Sequence, residues 1–282
     1  MLTALVIAAA LGGTPAQPAG LKLTNVRLTV GELGPTRDGN KVIPGDMLFI
    51  ALEADGMTIS DDGVARYTME LEVTNAAGMR ILPDPKEPKP KPREQIDFVP
   101  LRGNKMPLRA FITAGLDQPA GTYTCKITVA DLAGKTTADL SVKFEVTKRE
   151  FGIVAVHTTH DPKGEISAPT TGQVGQSLFV NFSIVSFERD AKFKQPDVEI
   201  TFQVYDGAKA LLVNAKNEAT PLKQIQDAKS PTPVKETDGA FGLQFPLFMN
   251  RPGKFVLEIT ATDRVSKKSA VYKLPVTVNA AN

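Results

Sequence analysis

The chain has 282 residues, 42% hydrophobic and 23% charged, which is globular chemistry at about two-domain length. Its 33 Lys and Arg against 31 Asp and Glu leave a net charge of +2, too small a field to hold nucleic acid through its phosphates. One cysteine (Cys125), two histidines (His157 and His160) and no tryptophan exclude an intrachain disulfide and a Cys-rich metal site, and confine His-dependent catalysis to one short segment.

Leu2 to Leu11 form an uncharged apolar run, long enough for a signal-peptide core and too short to span a membrane as a helix. Thr14-Pro15-Ala16 offers a small-residue cleavage site, with Ala19 a second candidate. Residues 1–19 are therefore expected to be a signal peptide and the mature protein to be secreted, periplasmic or part of the cell envelope. No later segment reaches 18 apolar residues, so no transmembrane segment is expected in the mature chain.

Beyond the leader the chain alternates with period two. Tyr67, Met69, Leu71 and Val73 point one way and Thr68, Glu70, Glu72 and Thr74 the other. Such alternation predicts half-buried antiparallel strands, and helical spacing is nowhere sustained. Strands are predicted near 21–30, 46–54, 66–75, 79–82, 106–114, 121–131 and 135–147. A second series is predicted near 151–159, 176–187, 197–206, 209–213, 240–248, 253–263 and 268–279, giving about seven strands in each half. Asp131-Leu132-Ala133-Gly134 and Asp263-Arg264-Val265-Ser266 read as hairpin turns between paired runs.

The halves are copies of one unit. Residues 121–146 match 253–278 at an offset of 132, which pairs Gly121 with Gly253, Tyr123 with Phe255, Cys125 with Leu257 and Asp131 with Asp263. Residues 44–52 match 174–182, and 67–75 match 198–206, at offsets of 130 and 131. Three blocks in the same order place one domain at 20–147 and a second at 151–280. The linker Thr147-Lys148-Arg149-Glu150 has neither Gly nor Pro, which predicts end-to-end stacking with limited bending. Its two cations argue against a calcium clamp at the junction.

Gly121-Thr122-Tyr123-Thr124-Cys125 resembles the G-x-Y-x-C approach to the sixth strand of immunoglobulin-like domains. The chain as a whole resembles the tandem immunoglobulin-like or fibronectin type III-like modules of bacterial exported proteins. That resemblance implies an all-β fold of two tandem antiparallel β-sandwiches and makes Tyr123 a tyrosine corner, its hydroxyl bonded to upstream backbone. Phe255 keeps the packing there and loses the hydroxyl. The second cysteine and the core tryptophan of antibody domains are missing.

Few residues carry candidate chemistry. His157, His160 and Asp161 could bind a metal only if the chain turned, because residues i and i+3 of a strand face opposite sides; exposed strand-end residues are the expectation. Asp55-Gly56 and Asp61-Asp62-Gly63 read as turns, since the full calcium-loop pattern is absent. Cys125 reads as a small buried hydrophobe, matched by Leu257. Tyr67 and Tyr123 are assigned to the core, leaving Tyr205 and Tyr272 to be exposed as sugar platforms. No catalytic residue, cofactor site or metal site is assigned. Pro83 to Arg93 holds five prolines and should run as polyproline II, reaching roughly 34 Å at about 3.1 Å per residue. Its Lys86, Lys89, Lys91 and Arg93 form a possible contact loop for an anionic protein or envelope partner. A second polar excursion, 214–238, is expected to be exposed and mobile at the same place in the second unit.

Overall fold

The computed structural model describes residues 20–280, so the expected signal peptide at 1–19 lies outside the described residues. The first unit is built from β1 (Lys22–Thr29), β2 (Lys41–Val42), β3 (Met47–Asp55), β4 (Val64–Asn75), β5 (Arg80–Leu82), β6 (Glu94–Phe98), β7 (Lys105–Thr113), β8 (Gly121–Asp131) and β9 (Thr136–Val146). The second repeats the plan with β10 (Gly152–Thr159), β11 (Thr171–Gln173), β12 (Ser177–Val185), β13 (Val198–Asp206), β14 (Lys209–Ala210), β15 (Leu222–Gln226), β16 (Ala240–Phe248), β17 (Gly253–Asp263) and β18 (Ser269–Asn279).

In each unit a three-stranded sheet faces a larger one. β1-β3-β7 faces β2-β9-β8-β4, and β10-β12-β16 faces β11-β18-β17-β13. The opening segment crosses between sheets, so β2 and β11 run parallel to the last strands while the other pairings are antiparallel. This strand order is that of an immunoglobulin-like sandwich. The inward residues of the alternating strands make each core: Leu48, Ile50 and Leu52 face Cys125, Ile127 and Val129, while Leu178, Val180 and Phe182 face Leu257, Ile259 and Ala261. Each fully buried large aliphatic side chain contributes about 1.5–3 kcal/mol. Among the described residues no helix is long and apolar enough to cross a membrane.

Among the described residues, nine strands per unit replace the seven expected. β2 and β11 are too short to show alternation. β6 and β15 pair with β4 and β13 at a sheet edge where little of either strand is covered, so neither bears a buried face for the pattern to reveal. The first strand of each unit is bulged, with Asn25 at φ 55° and Ala155 at φ 53°. A bulge bends the strand and re-aims its backbone amides.

Candidate functional site

The corner residues come first. Tyr123 is buried, its ring stacked on Phe144 at a centroid distance of 5.6 Å. Its hydroxyl donates to the Pro119 carbonyl at 2.8 Å and accepts from the Gln118 amide, also at 2.8 Å. Tyr123→Phe should leave both partners unpaired at a part-buried site and cost about 1–2 kcal/mol in chemical denaturation. An unchanged midpoint would show that the hydroxyl is dispensable. Phe255 has no hydroxyl; its ring lies beneath the Arg251 guanidinium at 5.0 Å. Cys125 and Leu257 are fully buried, and burial pushes the Cys125 thiol up to about 11, far from a reactive thiolate.

The proline-rich segment bridges β5 to β6 and is exposed from Asp84 to Arg93. It is anchored by Arg80, whose guanidinium donates to the carbonyls of Asp84, Pro85 and Glu87. Lys89 pairs with Glu70 at 3.0 Å, which raises its ammonium pKa. Lys86, Lys91 and Arg93 are exposed on the same loop. The matching excursion at 214–238 is not the open polar loop that its composition suggested. It contains β15, it buries Gln226 and Val234, and Arg189 donates to the carbonyls of Val234, Lys235 and Asp238. Carbonyl-gripping arginines leave no periodic trace in a sequence, which is why this anchoring was illegible.

The His–Asp segment is a structural turn. His157 Nδ1 lies 2.8 Å from the Ala155 carbonyl, which assigns its proton to that nitrogen; His160 is exposed. Asp161 is held below the usual carboxylate range, first by the amide of Ile166 and then by those of Glu165 and Lys163. Asp62 is lowered chiefly by the Ser60 hydroxyl. Asp55 pairs with Lys105 at 3.7 Å. Among the described residues no group of three or more His, Cys, Asp and Glu side chains is placed to hold a metal ion.

A buried polar site that sequence reasoning missed lies between the units. Asp46, 8% exposed, follows Gly45 in the turn into β3. One carboxylate oxygen accepts from the amide of Met47 at 2.8 Å and from that of Ala155, in the second unit, at 2.9 Å. The other accepts from Arg37 at 3.0 Å. The bulge at Ala155 aims that amide across the junction. Around it, Val30 packs on the second core, Glu32 accepts from Ser167 at 2.6 Å, and Arg149 reaches Asp117 and Ser186 on opposite sides. Only glycine fits at 45: its φ is 95°, and a Cβ there would meet Val185 at 2.8 Å.

Tyr272, expected to be an exposed platform, is instead half-buried on the inward side of β18, against the second core and within reach of the charges at this junction. Burial pushes its phenol up to about 12; Arg37 opposes the rise, and Asp46 and Asp38 add to it. Tyr205 is half-buried. Tyr67 donates to Asp97 at 2.8 Å, and burial followed by that carboxylate raises its pKa above the ordinary phenol range. An unfolded phenol loses its proton near about pH 10. Stability contributed by the neutral, buried phenols is therefore complete below pH 10 and is lost as pH rises through the folded value. For Tyr272 that window runs from about 10 to 12. Phenolate absorbance should show a step at about pH 12 that disappears in Tyr272→Phe, while the later one of Tyr67 remains.

No protein-family model matches the chain, and no curated protein matches it. Three similar solved structures are all-β. The C-terminal domain of the Streptococcus agalactiae antigen I/II polypeptide BspA is 9% identical, covers 91% of this chain and 99% of its own, and has a TM-score of 0.30. That of the Streptococcus pyogenes antigen I/II-family protein AspA is 11% identical, with coverages of 91% and 99% and a TM-score of 0.30. The fibronectin(III)-like modules of Clostridium thermocellum CbhA are 12% identical, with coverages of 91% and 95% and a TM-score of 0.23. At such scores none carries an argument about function; the fold rests on the strand order above.

Proposed function

We propose that this chain is a non-enzymatic, exported binding or structural module. Two immunoglobulin-like domains, 20–147 and 151–280, hold binding surfaces at a fixed separation for a protein or cell-envelope partner. The observation that carries the reading is the Asp46 junction. A buried carboxylate shared between two units is costly to arrange, and its return is a fixed relative orientation. Rigid spacing lowers the ordering cost of binding at two places at once. The loop bearing Lys86, Lys91 and Arg93 is one such surface, suited to an anionic partner and weakened by salt.

The test is recovery of envelope components on the immobilised full chain. Parent and Asp46→Asn are compared with a variant in which residues 83–93 are replaced by a short Gly-Ser turn. The reading expects a specific partner, retained by the parent and lost or weakened about tenfold when the loop or junction is altered. Equal recovery on all three, or no specific partner, would overturn it.

A further inference from the structure

The repeat allows one corner of the molecule to be compared with its own copy. In the first unit the corner before β8 is filled by the Tyr123–Phe144 stack, and the space left beside it is about 140 Å³. In the second unit Val276 stands where Phe144 does and Phe255 where Tyr123 does. Lacking a hydroxyl to anchor it, the Phe255 ring lies on Gly253; a Cβ on Gly253 would be 2.7 Å from its Cζ. On Gly121 of the first unit a Cβ would meet nothing within 4 Å, so the Tyr123 ring takes a different, inward course. The loop leading to the corner is also three residues shorter, from Met249 to Gly253 against Ala114 to Gly121. Counted back from the ring, Gly115, Leu116 and Asp117 are the three residues without a counterpart.

The result is an apolar pocket of about 430 Å³ lined by Val204, Leu212, Leu247, Met249, Phe255 and Val276. That size falls within the range of ligand sites. Its mouth carries Asn250, Arg251 and Phe248, the last 61% exposed. Counted back from the ring, Arg251 and Asn250 hold the chain positions of Pro119 and Gln118, whose carbonyl and amide receive the Tyr123 hydroxyl.

We propose that this pocket takes a tyrosine side chain from a partner polypeptide, rebuilding between two chains the corner that the first unit closes within one. The ring enters between Phe255 and Val276, and the hydroxyl is received by the Arg251 carbonyl and the Asn250 amide. Arg251 is kept at the mouth by its ion pair with Asp206 at 2.7 Å, so its charge is already matched and the site suits a neutral phenol. The proposal rests on the reading of the chain as a protein-binding module, and names where and by what chemistry it binds.

The test is a titration of the full chain with N-acetyl-tyrosinamide, N-acetyl-phenylalaninamide and p-cresol, followed by methyl chemical shifts. The tyrosine probe should move the signals of Leu212, Leu247 and Met249 and bind about fivefold more tightly than the phenylalanine probe, from the hydroxyl's hydrogen bonds. Val276→Phe restores the first unit's bulk and should weaken binding at least about tenfold. Phe255→Tyr should do the same by closing the corner from within; it serves as the second variant if Val276→Phe does not fold. Equal binding of the tyrosine and phenylalanine probes would overturn the proposal, as would binding indifferent to both substitutions. Binding of p-cresol without the tyrosine probe would overturn the polypeptide source. Tyrosine binding with no envelope partner recovered would sink the proposed function alone. Partner recovery unaffected by Phe255→Tyr would sink the pocket alone.

Discussion

Replacing Asp46 with alanine is expected to destabilise the protein by about 3 kcal/mol and to free the second unit from its fixed orientation. The carboxylate serves two backbone amides and a guanidinium, in a place that water barely reaches. Removing it leaves the amides of Met47 and Ala155 without their acceptor and Arg37 without its counter-charge. Each unsatisfied buried donor costs about 1–3 kcal/mol. Asp46→Asn keeps one acceptor and loses the charge, so it should fall between alanine and the parent. Chemical denaturation measures the first effect. Residual dipolar couplings measure the second: in the parent one alignment tensor should fit both units, and in Asp46→Ala two should be needed. One tensor in the variant would mean that the apolar contacts of Val30 and Val185 fix the orientation unaided.

The strands and their faces were legible because burial on one side of a strand writes a period of two into the chain. The offset of 132 paired Cys125 with Leu257 and Tyr123 with Phe255; Cys125, Leu257 and Tyr123 are buried and Phe255 is half-buried. What alternation reports is that a face is covered, not what covers it. Tyr272 shares the inward side of β18 with Leu274 and Val276, as its match Leu140 does on β9, so alternation itself places it against the core rather than on an exposed platform. Pro44-Gly45-Asp46 reads as a turn with a capping carboxylate, yet that carboxylate reaches an amide 109 residues away. The left-handed backbone of Ala155, which aims the amide, has no signature in an alanine. Edge strands β6 and β15 were hidden for the opposite reason. With little of either edge covered, the pattern falls silent, and prolines and charges nearby suggested a loop throughout. The opened corner of the second unit was half legible. The loss of the hydroxyl at Phe255 could be read from the alignment, but the outward swing of its ring could not.

Asp263→Ala should be the most damaging single change in the second unit, costing about 4 kcal/mol. Asp263 is 0% exposed, at the turn between β17 and β18. One oxygen accepts from the amide of Val265 at 2.9 Å and, more weakly, from that of Ser266 at 3.3 Å. The other accepts from the Ser266 hydroxyl at 2.6 Å and from the amide of Glu188 at 2.9 Å. That last bond ties the hairpin to the loop after β12 in the opposite sheet. The first unit has the same device: Asp131 accepts from Ala133, Gly134 and, across the sandwich, Thr58. A turn-forming aspartate on a surface hairpin would contribute about 1 kcal/mol or less. The larger figure follows from burial and from the tie between sheets. Asp131→Ala should therefore match Asp263→Ala in size but unfold the other unit. With Cys125 labelling as the reporter, Asp131→Ala should expose the first unit's thiol to reagent, while Asp263→Ala leaves it protected. A cost under about 1 kcal/mol for both would reduce the pair to ordinary turn residues. Labelling of Cys125 in Asp263→Ala at the rate seen in Asp131→Ala would show that the two units unfold as one, through the Asp46 junction.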